Sequence, residues 1–465
     1  MATWRVPAVR SVHVCQQCGA ETPRWSGQCP SCDAWNTLVE TVLTRPVAAA
    51  RARASSTTAF AVGSISPITD VSSAEAERLV SGMGEVDRVL GGGFVPGSIV
   101  LFGGDPGIGK STLLLQLAAR LATADNQVLY ISGEESPAQV RGRAERVGAV
   151  VGGLGLVATT ELATALGAIE SVAPALAVVD SVQTMASADL AGPAGSVGQV
   201  REVATRLAEL AKSGHTCVAL VGHVTKEGTV AGPRTLEHLV DAVIYLEGER
   251  LGSTRLIRAA KNRFGSTDEV GVLEMRGDGL VEVADASRFF LESEQPPVAG
   301  SAVTIALEGT RPLAVEIQAL VAPSGAGSPR RATTGIDVSR VLMLIAVLAR
   351  HAGLNLNSHD VYVNVAGGLR IEEPASDLAV AVALASSLRE RPVRSGTVLA
   401  GELSLAGRLR AASRSERRMA EAQRLGFDRL ITGPARNETQ KARQDGQLAT
   451  AVDVRSALQL ALEER

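Results

Sequence analysis

The segment from 98 to 122 narrows the possible folds more than any other part of this 465-residue chain. An apolar run, 98–102, leads into Gly104, Asp105, Pro106, Gly107, Ile108, Gly109, Lys110, Ser111 and Thr112, and an amphipathic stretch, 112–122, follows. GxxxxGK[ST] between a strand and a helix is a phosphate cradle. Its glycines let backbone N–H groups wrap the phosphates, the helix turns its positive end toward them, Lys110 neutralises the β and γ oxygens, and Ser111 holds Mg²⁺.

The surrounding pattern agrees with such a core. Apolar runs at 98–102, 127–131, 175–179, 216–221 and 242–246 read as buried strands, with helical patterns such as 112–122 and 197–212 between them. That alternation implies an α/β fold with a mostly parallel, helix-covered sheet. Residues 256–260, 270–275 and 280–283 read as added hairpin strands. The run 176–180 ends in Asp180, and an apolar strand ending in a carboxylate downstream of a phosphate loop marks the metal shell of P-loop enzymes. Hydrolysis also needs a group that orients water; Glu134, just past the strand at 127–131, is the candidate, with Glu135 as its competitor.

At roughly 150 residues per domain, the length predicts about three units. Residues 1–43 carry four of the five cysteines and form a small module, 44–76 reads as a linker, 77–290 holds the P-loop core, and 291–465 is a separate α/β domain. In that last domain 302–307, 315–320 and 361–365 are strand-like, while 338–349 and 375–388 are helical. With 45% hydrophobic and 20% charged residues the chain has a globular balance. The longest strongly apolar run, 341–349, is too short to span a bilayer and residues 1–14 lack a secretory pattern, so the expectation is a cytoplasmic protein with no membrane partner. A net charge of −3 neither demands nor excludes a nucleic acid.

Cys15 and Cys18 form one CxxC pair, and Cys29 and Cys32 another, with ten residues between the pairs. Two such knuckles supply the four thiolates that Zn²⁺ prefers. Iron is the chemical alternative and redox chemistry the functional one, but a segment this small needs a metal to fold. Cys217, in an apolar strand, reads as core packing.

Only five of the 46 basic Lys and Arg residues are lysines, namely Lys110, Lys212, Lys226, Lys261 and Lys441. Lys110 stands in the phosphate loop, and two others, Lys226 and Lys261, sit in motifs that carry a resemblance. Residues 82–93 (GMGEVDRVLGGG), 130–136 (YISGEES), 221–228 (VGHVTKEG), 231–241 (AGPRTLEHLVD) and above all 261–265 (KNRFG) resemble the RecA-superfamily ATPases and, among them, the bacterial RadA (Sms) family of DNA repair proteins. The resemblance covers essentially the whole chain. It implies a RecA-like P-loop ATPase core with an N-terminal four-cysteine zinc module and a C-terminal Lon-protease-like domain. It also implies an ATP- and Mg²⁺-dependent homo-hexamer, similar to DnaB-type helicases, that acts on single-stranded and branched DNA in recombination, with the recombinase RecA and replication proteins as partners. By position, Lys110, Ser111 and Asp180 would bind nucleotide and metal, Glu134 would orient water, His223 to Lys226 would sense the γ-phosphate, and Lys261 and Arg263 would act between subunits. Aromatic residues are only 3%, so DNA contacts should rest on backbone charge, with weak sequence preference.

A Lon-type protease and a KaiC-like ATP switch are the competing classes. Against the protease, the nucleophile position after Pro374 holds Ala375, with Ser376 one place along, and no lysine stands near Glu416 to serve as base. Ser376 and Asp377 are expected to cap the helix that starts there, and Arg408, Arg410, Arg414, Arg417 and Arg418 to form a basic face.

Overall fold

The computed structural model describes residues 10–15, 20–43, 77–222, 236–248, 252–291, 297–325, 328–434 and 448–463. The chain divides into two compact units: residues 1–247, 257–267 and 276–280 form one, and residues 248–256, 268–275 and 281–465 the other.

In the first unit, β1 (Arg10–Cys15) pairs antiparallel with β2 (Glu21–Thr22) and β3 (Leu38–Leu43). The P-loop core follows, with α1 (Gly84–Leu90), β4 (Ile99–Gly104), α2 (Lys110–Leu121), β5 (Val128–Ser132), α3 (Pro137–Arg146), β6 (Leu154–Ala158), α4 (Leu162–Val172), β7 (Leu176–Asp180), α5 (Val197–Gly214), β8 (Cys217–Val221) and β9 (Ala242–Glu247). The strands lie in the order β9, β4, β8, β7, β5, β6, and every pairing is parallel. Strands β4, β5, β7 and β8 are buried throughout, as a sheet covered on both faces requires of its central strands. The five expected strands all form. The edge strand β6 is not among the expected strands: Gly152, Gly153 and Gly155 interrupt the apolar residues there, and none of its five residues is fully buried.

Strands β10 (Thr254–Asn262), β11 (Val270–Arg276) and β12 (Gly279–Glu282) stand where added strands are expected. Beyond the short helix α6 (Ala286–Phe289), the second unit has β13 (Ser301–Glu308), β14 (Arg311–Pro323), β15 (Arg331–Thr334), α7 (Val338–Val347), β16 (His359–Val365), α8 (Asp377–Arg389), β17 (Thr397–Leu399), β18 (Gly401–Leu403), β19 (Leu409–Ala411), α9 (Ser415–Arg424), β20 (Arg429–Thr432), β21 (Leu448–Thr450) and α10 (Val454–Ala461). Its mixed sheet runs β15, β16, β14, β13, β17, β20, β21. Helix α8 is alanine-rich and apolar all round, and Leu378 to Ser386 are buried without a break, which places it at the centre of this core. Among the described residues no helix is long and apolar enough to cross a membrane.

Candidate functional site

The phosphate loop sits at the carboxyl end of the central strand β4. Gly104 has a φ of 150°, and a Cβ there would lie 2.5 Å from the Leu246 carbonyl oxygen, so the loop can leave the strand only through a glycine. Helix α2 starts at Lys110 from Gly109, without a side-chain cap, which leaves its first-turn N–H groups for an anion. Lys110 is 4% exposed and its Nζ donates to the carbonyls of Gly104 (2.8 Å) and Asp105 (3.0 Å). Burial lowers its pKa, opposed by the nearby charges of Asp180, Glu134 and Asp105. Asp105, Ser111 and Thr112 are half-buried, Ile108 is buried, and Pro106 and Gly107 face solvent.

The next two strands bring the carboxylates in. Ser132 of β5 is in register with Asp180 of β7, and the Gly133 N–H donates to the Asp180 carbonyl at 2.7 Å, so the two strand ends lie level. A Cβ at Gly133 would lie 2.2 Å from Thr184 Oγ1; only glycine lets the two loops approach this closely. The Tyr130 hydroxyl donates to Asp180 Oδ2 at 2.5 Å, and the Ser181 hydroxyl donates to Glu134 Oε1. Asp180 Oδ1 is buried with no hydrogen-bond partner among the described residues. Glu135 turns away and pairs with Arg143 at 2.5 Å. Thus Lys110, Asp180 and Glu134 share one sheet edge, and of the two glutamates Glu134 is the one within electrostatic reach of the lysine. An uncapped helix start with Ser111 in its first turn, a buried ammonium and a carboxylate oxygen lacking a partner suit a nucleotide phosphate with a divalent cation. His223, Val224, Thr225 and Lys226 lie outside the described residues.

The KNRFG turn occupies the other end of the sheet. Arg263 pairs with Asp241 Oδ1 at 3.0 Å, and Asp241 Oδ2 accepts the N–H of Ile99, the first residue of β4. Five residue steps at about 3.3 Å separate Ile99 from Gly104, so this turn lies ~17 Å from the phosphate loop of its own chain. Lys261 Nζ donates to the carbonyls of Glu237 (2.7 Å) and Val240 (2.8 Å), whereas the Arg263 side chain is 55% exposed. Asn262 and Phe264 anchor the turn: the Asn262 amide donates to the Val89 carbonyl, and Arg78 donates to the Phe264 carbonyl.

In the small module, the sulfurs of Cys15, Cys29 and Cys32 lie within 4.8 Å of one another, and those of Cys15 and Cys32 are 3.7 Å apart. Tetrahedral Zn²⁺ with bonds of about 2.3 Å sets its sulfurs ~3.8 Å apart, so the trio fits zinc. Cys18 lies outside the described residues. The Thr37 hydroxyl is 3.2 Å from Cys15 Sγ, placed to donate to a thiolate. Cys217 is fully buried beside Ser98 Oγ, and burial pushes its thiol up to about 12, as suits core packing.

The second unit departs from expectation at two points. Ser376 and Asp377 do not cap α8: the Ser376 hydroxyl donates to the Glu373 carbonyl at 2.7 Å, and the Asp377 carboxylate takes a two-pronged pair from Arg340 (2.7 and 2.5 Å) and the Leu403 N–H. A buried carboxylate gains more from a guanidinium than from neutral N–H groups, and Arg340 is within reach. Arg418 is not on a basic face. It is fully buried, donating to the Glu373 carboxylate and to the carbonyls of Ile305 and Ser413. Arg408, Arg410, Arg414 and Arg417 are exposed. Sequence reasoning gave Tyr130 and Ser181 no role of their own; the available signal for Tyr130 was a phenol in a buried strand, which needs an acceptor, and for Ser181 its place directly after Asp180.

Comparison with known proteins agrees with this geometry. Residues 13–40 match the rubredoxin metal binding domain, 69–229 an AAA domain, and 332–437 the subunit ChlI of Mg-chelatase. The chain is 49% identical over 428 residues to the DNA repair protein RadA of Bacillus subtilis, covering 92% of this chain and 93% of that one. It is 47% identical over 452 residues to the RadA of Listeria monocytogenes, covering 97% and 98%. Among solved structures, the flagellar accessory protein FlaH from Methanocaldococcus jannaschii superposes with a TM-score of 0.37 at 14% identity, over 45% of this chain and 99% of that one. Identity at the level of the two RadA relatives along nearly the whole length, with a P-loop ATPase core behind a cysteine metal module, shows that the chain belongs to the RadA family of DNA repair proteins.

Proposed function

We propose that this chain is a DNA-dependent, DnaB-type helicase-like ATPase that works in the cytoplasm as a ring-shaped homo-hexamer on single-stranded and branched DNA, promoting branch migration during recombinational repair and the response to DNA damage. The observation that carries the reading is the separation within one chain: Lys110, Asp180 and Glu134 share one sheet edge, while the half-exposed Arg263 stands ~17 Å away. An arginine presented at the far end reaches a γ-phosphate only in a neighbouring subunit. A head-to-tail ring provides that neighbour and ties hydrolysis to movement between subunits.

Within the site, Lys110 and the loop N–H groups between Gly104 and Thr112, Pro106 having none, hold the β- and γ-phosphates of ATP. Ser111 and Asp180 would hold Mg²⁺, which when bound neutralises charge on the phosphate oxygens. Glu134, kept in place by the Ser181 hydroxyl, orients a water and takes its proton as the water oxygen bonds to the γ-phosphorus and the bond to the β-bridging oxygen breaks. His223 to Lys226 would report that event to bound DNA. RecA and replication proteins are the proposed partners, with the zinc module as a contact surface.

The protease alternative loses support in the second unit. The cation beside Ser376's anchor Glu373 is Arg418, a guanidinium that cannot deprotonate to act as a base. ATPase rates with and without single-stranded DNA, together with a labelled three-strand branched substrate, test the proposal. Stimulation by DNA with ATP-dependent strand exchange at the branch is expected. Hydrolysis indifferent to DNA, with static branches, would favour the KaiC-like switch.

A further inference from the structure

We infer that Tyr130 is a positioning residue for the nucleotide site: its hydroxyl holds Asp180 so that one carboxylate oxygen is presented to the metal and the carboxylate is kept off Lys110. This inference rests on the proposed role of Asp180 and deepens it. Tyr130 is in register with Val178, two residues before Asp180, and side chains two apart project from the same face of a strand. The phenol is long enough to span that offset, and it donates to Oδ2 at 2.5 Å while Oδ1 has no partner among the described residues.

Two considerations single out the hydroxyl rather than the ring. Tyr130 is 1% exposed and lies in the field of Asp180, Arg143 and Glu135; a phenylalanine fills the same space with its ring, so packing gives no reason for the oxygen. Moreover, Asp180 is 4% exposed and lies in the field of the equally buried Lys110. At low dielectric an unrestrained carboxylate so placed closes onto the ammonium, and that direct pair would occupy both the metal ligand and the phosphate-binding lysine. Lys110 instead stays on the carbonyls of Gly104 and Asp105, and Asp180 stays on the phenol. A neutral donor does this without cancelling the carboxylate charge that the metal requires.

The experiment titrates Mg²⁺ against binding of a fluorescent ADP analogue to the full chain, with the metal-free affinity measured in EDTA. For Tyr130→Phe the Mg²⁺ midpoint should rise about tenfold, the range typical of lost outer-shell support, and the metal-free affinity should fall as well, because the released carboxylate closes onto Lys110. In an Asp180→Asn background the same substitution should have no further effect, because the hydroxyl acts through that carboxylate. An unchanged midpoint in Tyr130→Phe, or an equal shift in the Asn background, would overturn the inference. If Asp180→Asn alone leaves the midpoint unmoved, the metal role of Asp180 fails and this inference with it. Should the phenylalanine chain not fold, 3-fluorotyrosine incorporated into a Tyr245→Phe/Tyr362→Phe background alters the donor without altering its shape. A midpoint shift there supports the inference, and none refutes it.

Discussion

Arg418 is fully buried against the Glu373 carboxylate, and the carbonyl of the same Glu373 accepts the hydroxyl of Ser376. The place that resembles a peptidase centre is thus filled by a structural ion pair. Removing one partner of such a pair leaves the other charge buried and uncompensated, so Arg418→Met should destabilise the second unit by about 3–5 kcal/mol. Urea unfolding measures this. Casein should remain intact with the parent chain, and cleavage that depends on Ser376 would contradict the assignment.

A second ion pair predicts a pH dependence. Asp285 sits in the fork of Arg424 (2.7 and 2.9 Å), with Arg288 and Glu421 also facing it, and the Arg424 hydrogen bonds hold its carboxyl at about 2. A lowered folded-state value contributes stability above the ordinary carboxyl range, and that contribution disappears as pH falls from about 4 toward 2. Because the Arg424 side chain is 49% exposed, the effect is small, below about 1 kcal/mol. Arg424→Met should therefore be slightly less stable than the parent at pH 7, with the gap closing below about pH 4 in parallel unfolding curves.

The metal module and the core thiol separate in a labelling experiment. Elemental analysis should give about one zinc per chain, following the four-thiolate rule. After chelation, a thiol reagent at pH 8 should modify the cysteines of the module rapidly. Cys217, whose thiol stands near 12 in a fully buried strand, should react only on unfolding. Early labelling of Cys217, or a module that keeps its structure without metal, would count against this division.

What the sequence revealed and what it hid follows from how far apart the interacting residues lie. The phosphate loop, Asp180 and the CxxC pairs are short motifs whose chemistry is contained in a few consecutive residues, and apolar runs marked the buried strands around them. Glu134 could not be separated from Glu135 because that choice depends on Ser181, 47 positions away, and on Arg143, which turns back from α3 onto Glu135. Arg418 looked like one more arginine of a basic helix, since nothing nearby in sequence announces Glu373, 45 positions earlier. Both cases are tertiary contacts between polar groups, which leave no periodicity in the chain.

Gly133 offers a test of the Glu134 geometry without touching a charge. A methyl there would meet Thr184 Oγ1 at 2.2 Å, and relief comes either from turning Thr184 off the Ser181 carbonyl or from lifting the 133–135 loop away from Ser181, both of which disturb the Ser181 hydroxyl that holds Glu134. Gly133→Ala should lower turnover by about 10- to 100-fold, the scale of a misplaced general base, while ATP affinity changes little. Turnover at the parent rate would mean that Glu134 does not act from this position. Thr184→Ala, which removes the obstructing oxygen, should restore part of the activity of Gly133→Ala.

The separation of Arg263 from the phosphate loop makes the ring itself testable. Lys110→Ala removes an ammonium that donates to two loop carbonyls, so the chain should fold and lose ATP turnover. Arg263→Ala should lose turnover too, although its own phosphate loop is intact, because the arginine stands beside Asp241 at the opposite end of β4. Mixing the two variants unites an intact Lys110 from one chain with an intact Arg263 from its neighbour. With random head-to-tail assembly of equal amounts, roughly a quarter of the interfaces are complete, and hydrolysis should recover toward that fraction. The mixture is assayed after dissociation and reassembly, against each variant alone. No recovery would place Arg263 in the service of its own subunit or of DNA and would remove the argument for an intersubunit site.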